Sequence, residues 1–336
     1  MEAWLAAAVQ AASAEAPMPL TVVPDVVKGR VLSLDGDYLA YFMAGNDDTD
    51  IGTARRNALS RIIQFKEMSG SEKCILNLTA SGSNKALRYL IATVRPYQAN
   101  RDGSTRPKNW AALRDFLESY DGDVFKPNIW TDREADDGMA LLQTHYHDRG
   151  LGHLIVSCTR DKDMRQYGGL HLGWVDFILV EVKWKEFRWY DHDEKLYGTC
   201  WLWEQSLQGD SVDGIPGLPK YIKPNAKMGL MGEKTAAKLL ADCKNDQEAF
   251  EVVAVLYGGF YLGLWGEMLA EQLMLLWLRR DAKADPLNFL SNLALDKTTD
   301  NYKELEAGAK TIMTRVNAAL EAVREIEERA ARTDQG

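Results

Sequence analysis

Carboxylates stand in this chain at places where a backbone would hold them still. The groups are "LDGD" with Asp35, "EADD" with Glu134, Asp136 and Asp137, "DKD" with Asp161 and Asp163, and "GDSVDGIPG" with Asp210 and Asp213. Each has an ordinary explanation. Asp35 suits a strand-to-turn junction beside Gly36. Thr131 followed by Glu134 reads as a capping box, and acids in a first helical turn suit the helix dipole. Asp161 and Asp163 flank Lys162 as in a solvated loop. Asp210 and Asp213 lie one helical turn apart before Gly214 and Pro216, which are helix-stop signals. That last pair asks for a reason, because acids near a helix C-terminus oppose the dipole. If the groups converged, each close pair would repel by about 4 kcal/mol at an effective dielectric near 20. Divalent cations would relieve the repulsion. The donors are all oxygen, with no His or Cys at metal spacing, which favours Mg²⁺ or Mn²⁺ over zinc. His145 and His147, two apart on a helix, diverge and read as surface residues.

The elements that must position these acids alternate. Apolar runs in "RVLSLDGD", "KCILNLTA", "LGHLIVSC" and "VDFILVEV" read as buried strands. Helical stretches at 51–68, 110–119 and 134–148 lie between them. This predicts an α/β fold with a mostly parallel central sheet flanked by helices. Sites in such sheets form at the carboxyl ends of strands, where "LDGD" and "DKD" stand. After residue 200 the chain reads as helical. The segment "GFYLGLWGEMLAEQLMLLWLRR" carries Glu267 and Glu271, so it reads as a buried helix rather than a membrane span. Residues 300–332 form a charged amphipathic helix, expected on the solvated outside. The division expected is a helix and linker at 1–29, an α/β core at 30–200, a helical part at 201–298 and a terminal helix at 299–336.

Net charge is −9, which argues against a bulk electrostatic nucleic-acid binder but leaves room for local basic patches. Cys74, Cys158, Cys200 and Cys243 form no CxxC pair, so a reducing, cytoplasmic compartment is expected.

Taken in order, "LDGDYLAYF", "EADD", "DKD" and "GDSVDGIPGLP…GEKTA" resemble the 5′→3′ exonuclease and flap-endonuclease superfamily, especially the phage replication exonucleases, over about residues 30–245. The resemblance implies a PIN-like core, an arch near 98–130 and a helix–three-turn–helix at "GIPGLP…GEKTA". It implies two Mg²⁺ ions, with Mn²⁺ as a substitute. Asp35, Glu134, Asp136, Asp161 and Asp163 would be primary ligands. Asp137, Asp210 and Asp213 would hold the second ion or its waters. Asp35 and Arg101 would take the catalytic roles, with Arg101 stabilising charge on the phosphate. Tyr41 would stack on the base beside the cut. Arg88, Tyr97 and Gln98, in and before "YQANR", would face DNA. Gly217, Gly232, Lys234 and Thr235 would hold duplex phosphates, and Lys220, Lys223 and Lys227 of the inserted "KYIKPNAKMGL" would add cations.

Two further departures from the family pattern stand out. Ala80, Ser81 and Ser83 occupy the place of a second-strand Asp, and Gln98 replaces the arch Lys. The activity implied is Mg²⁺-dependent, structure-specific 5′→3′ cleavage of double-stranded DNA with a free 5′ end, a flap or an RNA–DNA hybrid. It would serve phage DNA replication or host DNA degradation, in host cytoplasm if phage-encoded, with no membrane partner. The arch is expected to be mobile without DNA. Competing readings are a haloacid-dehalogenase-type phosphatase with Asp35 as nucleophile, a non-catalytic DNA-binding relative, and a Mg²⁺-dependent ribonuclease.

Overall fold

The computed structural model describes residues 23–99, 105–223 and 225–333. Its centre is a six-stranded sheet in the order β3-β2-β1-β4-β5-β6. The strands are β1 (Val27–Asp35), β2 (Ser71–Thr79), β3 (Lys126–Trp130), β4 (Ile155–Cys158), β5 (Gly169–Leu172) and β6 (Leu179–Val182). Every neighbouring pair is parallel except β5 and β6. Leu32, Leu34, Leu76, Leu78, Ile155 and Val156 are fully buried. Such unbroken apolar runs are what a parallel sheet covered on both faces requires. β3 was not among the expected strands. It is a short edge strand containing Pro127, a residue that sheets accept at an edge.

The helices of this half are α1 (Gly36–Met43), α2 (Ile51–Met68), α3 (Arg88–Ile91), α4 (Trp110–Glu118) and α5 (Ala135–His147). Asp50 caps α2 by accepting from the Thr53 N–H at 3.0 Å. The cap of α5 differs from expectation. Glu134, not Thr131, is the N-cap residue, and Glu134 and Asp137 form the capping box. Of the span 98–130 expected as an arch, residues 100–104 lie outside the described residues, and much of the rest joins the core. Leu113 and Leu117 of α4 are fully buried in the α/β core, and β3 belongs to the sheet. Spaced four apart, the two leucines share one helical face, so they were the anchors that α4 needed.

The strand pair β7 (Trp189–Tyr190) and β8 (Leu196–Tyr197) leads into α6 (Thr199–Gln208). A hairpin of β9 (Lys220–Ile222) and β10 (Met228–Leu230) follows, then α7 (Glu233–Leu240), α8 (Asp246–Tyr261), α9 (Trp265–Leu276), α10 (Phe289–Asn292) and α11 (Asp300–Thr333). By length and composition the run Asp246–Leu276 would pass for a membrane span. Here the chain breaks at Leu262, whose φ is 52°, and α9 lies in the helical core. Its buried Glu271 accepts hydrogen bonds from the Thr93 hydroxyl and N–H. The first half of α11 is core rather than solvated surface. Tyr302, Leu305, Ala309, Ile312 and Val316 make one buried stripe at helical spacing. Gly266 and Gly308 let α9 and α11 touch backbone to backbone; a Cβ on Gly308 would lie 2.4 Å from the Glu267 nitrogen. Only beyond Val316 is the helix fully outside, with Val323 and Ile326 exposed.

Candidate metal and nucleic-acid site

The chain leaves β1 for β2 on one side and later returns to β4 on the other. The carboxyl ends of β1 and β4 therefore flank the switch point of the sheet, where open α/β folds place their ligands. Leu34 pairs with Cys158, which brings Asp35 alongside Thr159. The Thr159 hydroxyl donates to Asp35 Oδ2 at 2.7 Å and accepts from the Asp161 N–H at 2.9 Å. One hydroxyl thus joins the first and third acidic groups. Asp35 also caps α1, accepting from the Tyr38 N–H at 3.0 Å. Asp161 accepts from the Asp163 N–H at 2.8 Å, and Asp163 accepts from the Gln205 amide of α6 at 2.5 Å.

A second bridge joins the other two groups. The Gln98 side-chain nitrogen donates to Glu134 Oε1 at 3.0 Å and to Asp213 Oδ1 at 3.2 Å. The Tyr97 hydroxyl reaches Glu134 at 2.7 Å and Asp213 at 3.4 Å. Oxygens of Glu134, Asp136 and Asp137 lie within 4.8 Å of one another. Asp210 holds the Lys162 ammonium at 2.9 Å. The helix before it ends earlier than its Gly214–Pro216 signal implied. α6 stops at Gln208 because Gly209 turns to φ 75°, and Asp210 and Ile215 then exchange two backbone hydrogen bonds of 2.8 Å. Asp210 and Asp213 therefore sit on a closed loop, not on a helix end, and the expected conflict with the dipole does not arise.

Asp137 is fully buried and its oxygens accept from Arg88 at 2.6 and 2.8 Å and from the Arg279 N–H at 2.8 Å. These contacts brace it, while one of its oxygens also lies within 4.8 Å of those of Glu134 and Asp136. Arg88, Tyr97 and Gln98, expected to face DNA, are buried and donate to the carboxylates of Asp137, Glu134 and Asp213. Gly217 is buried too, and its N–H donates to the side-chain oxygen Oε1 of Gln272 at 2.9 Å. Arg101 lies outside the described residues. Tyr41, Lys220, Lys223, Lys227 and Lys234 are exposed, and Thr235 is half-buried. Around Gly232, the N-cap of α7, no atom lies within 4 Å of where a Cβ would be, so its backbone can be approached closely. His145 is exposed as expected. His147 instead stacks on Trp184 with ring centroids 4.0 Å apart, at the end of α5 remote from Glu134.

The site is short of positive charge. Burial, then Asp37, pushes Asp35 up to about 7, against hydrogen bonds from Thr159 and Tyr38. Burial with Asp137 and Glu134 holds Asp136 well above the usual carboxylate range. Burial with Asp161, Asp210 and Asp213 does the same to Asp163. Glu134 is raised mainly by burial, with Arg88 opposing. Asp161 is exposed, so the crowding of its carboxyl counts for less there; Asp213 and Asp210 still push it upward. Asp137 alone goes down, because Arg88 and Arg279 outweigh its burial. The carboxylates outnumber the ammonium groups of Lys85 and Lys162 beside them. An all-carboxylate donor set with unbalanced charge fits hard divalent cations.

This has a consequence for stability. A carboxyl whose folded pKa is raised favours folding fully below about pH 4 and loses that contribution as pH rises through the folded value. For Asp35 the window runs from about 4 to about 7, worth on the order of 4 kcal/mol. Thermal melts in EDTA are therefore expected to show a Tm that falls between pH 5 and pH 8. Asp35→Asn should flatten the fall, and Mg²⁺ should reverse it at pH 8. A Tm that rises with pH in EDTA would show that these acids are not held in mutual repulsion.

Sequence reasoning missed Asp37, Thr159 and Lys85. Asp37 lies beside Asp35 at the end of β2, where it accepts from the Thr79 N–H at 3.1 Å and is paired with Arg114. It brings a carboxylate to the strand end where the sequence offers only Ala80, Ser81 and Ser83. The Asp-x-Asp spacing in "LDGD" was its signal. Nothing local marks Lys85, and the tie from Thr159 to Asp35 spans 124 positions, so only the Thr159–Asp161 contact was within reach of a local reading.

No protein-family model and no curated protein matches the sequence significantly. Solved structures do match in shape. A pseudo-enzyme-product complex of the bacteriophage T5 flap endonuclease with DNA and metal ions aligns with a TM-score of 0.51 at 14% identity, over 86% of this chain and 99% of that chain. A T5 protein co-crystallised with metal ions gives 0.50 at 14% identity, over 85% and 99%. With its mostly parallel sheet and helical C-terminal part, this chain has the fold of the bacteriophage T5 flap endonuclease.

Proposed function

We propose that this protein is a Mg²⁺-dependent, structure-specific 5′→3′ nuclease that hydrolyses phosphodiester bonds in duplex DNA bearing a free 5′ end or a flap. What supports this reading is the joining of Asp35 to Asp161 through Thr159 and of Glu134 to Asp213 through Gln98, with Asp136, Asp163 and Asp210 close enough to act on the same charges. Asp35, Glu134, Asp136, Asp161 and Asp163 would hold the cations, with Asp210 and Asp213 completing the set. Bound there, divalent ions supply Lewis-acid polarisation of the phosphate and acidify a water. The residues of the chain itself orient the donors. Thr159 fixes Asp35, Gln205 fixes Asp163, and Tyr97 and Gln98 fix Glu134 against Asp213. Lys220, Lys223, Lys227 and Lys234, with the approachable backbone at Gly232, would grip duplex phosphates. Such contacts carry no base information, so cleavage should follow structure rather than sequence.

Digestion of blunt, overhanging and flapped duplexes, each labelled at one end, tests the reading. The expected result is release from the 5′ end that requires Mg²⁺ or Mn²⁺. Binding without release would leave a DNA-binding relative of the nucleases. A covalent phosphoenzyme on Asp35 would establish the phosphatase instead.

A further inference from the structure

The segment that enters the site beside Glu134 is strained. Lys85, Ala86 and Leu87 hold φ values of 47°, 54° and 64° in succession. None is glycine, and L-residues meet a steric penalty there, so a run of three persists only where its surroundings over-determine it. They do so here. The Ala86 N–H donates to the Asn84 side chain at 3.0 Å and to the Asp132 carbonyl at 3.1 Å, and Arg88 next in line is locked on Asp137. The result is that Lys85 points into the acids. Its ammonium lies 2.5 Å from the Gln98 carbonyl oxygen, 3.7 Å from Glu134 Oε1 and 5.3 Å from the centre of the Tyr89 ring.

The other cations nearby are more tightly held. Arg88 is 2% exposed and bound to Asp137 and two backbone carbonyls. Lys162 is in direct contact with Asp210. Lys85, 23% exposed, touches a neutral amide and only the far edge of a carboxylate. A four-carbon stem with a compact ammonium can swing to another acceptor without moving the backbone.

We propose that Lys85 is the mobile cation of this site. Before divalent ions bind, it screens Glu134. Once they neutralise the carboxylates, it turns its ammonium to a non-bridging oxygen of the bound phosphodiester. The second half rests on the nuclease reading, and the first half does not.

Two variants test it, Lys85→Gln and Lys85→Arg. Mn²⁺ binding to the DNA-free protein is measured by electron paramagnetic resonance, and single-turnover cleavage is measured on a flapped duplex. Removing a competing cation should lower the Mn²⁺ Kd of Lys85→Gln by about fivefold or more. Its cleavage rate should fall by about 10²-fold, with duplex affinity in Ca²⁺ changed by less than about threefold. Lys85→Arg, which keeps the charge, should recover much of the rate and return Mn²⁺ affinity to near wild type. An unchanged or weaker Mn²⁺ affinity in Lys85→Gln overturns the screening role, and a rate within about threefold of wild type overturns the phosphate contact. If the wild-type protein cleaves none of the duplexes, the nuclease reading fails, and the Mn²⁺ titration by itself still decides the screening role.

Discussion

Replacing Asp161 with Ala is expected to lower cleavage by about 10³-fold or more while leaving duplex binding nearly intact. Asp161 sits where two parts of the acidic network meet. It shares Thr159 with Asp35, and its own carboxylate accepts from the Asp163 N–H. Asp213 and Asp210 push its carboxyl upward, so their charges act on the same space. Removing it takes away a donor for the cations and loosens the turn that aims Asp163. The exposed lysines of the β9–β10 hairpin and α7 carry the expected grip on the duplex and are untouched by the change. Single-turnover cleavage of a 5′-labelled flap and fluorescence anisotropy in Ca²⁺ separate the two effects. The metal-free variant should also melt no lower than wild type at pH 8, because one repelling charge has gone. Turnover equal to wild type would remove Asp161 from the mechanism.

Arg88→Ala is expected to destabilise the protein by about 3–5 kcal/mol, the cost of leaving a buried charge without its partner. Arg88 and Asp137 are both almost wholly buried, at 2.6 and 2.8 Å. The same guanidinium donates to the carbonyls of Leu275 and Trp277, so it ties α3, α5 and the end of α9 together. Asp137 is held below the ordinary carboxylate range largely by this cation. Without Arg88 it would be pushed up by burial and would take a proton. The loss should therefore be smaller at pH 5 than at pH 8, and Asp137→Asn in the Arg88→Ala background should recover part of it. Urea unfolding at the two pH values measures both effects. A loss below about 1 kcal/mol at pH 8 would mean that solvent reaches Asp137.

The two variants probe different kinds of acid, and that difference was not visible in "EADD". Glu134, Asp136 and Asp137 share a type and a helix end. Asp137 keeps no oxygen free because Arg88 and the Arg279 N–H come from remote segments to claim it. Gln98 gives a similar lesson. It stands where the family pattern has a Lys, and in the fold its side-chain amide bridges Glu134 and Asp213 while its side-chain oxygen receives Lys85.

What was legible in the residues alone is what local rules govern. The pattern of apolar residues marked α2, α4, α5 and α9 and the strands β1, β2, β4 and β6, and Asp or Gly at their ends marked the turns where acids could stand. The ordered acidic motifs were enough to propose a cation site and a relative with the right fold. What only the tertiary structure decided is which partner each charge meets. The order of strands set Asp35 beside Thr159, Arg88 reached Asp137 across 49 positions, and the stripe from Tyr302 to Val316 became core only because α9 offered Gly266 to receive it. Hydrogen bonds and ion pairs act over a few ångströms of space without regard to distance along the chain, so residue type and spacing could nominate the donors but not assign their partners.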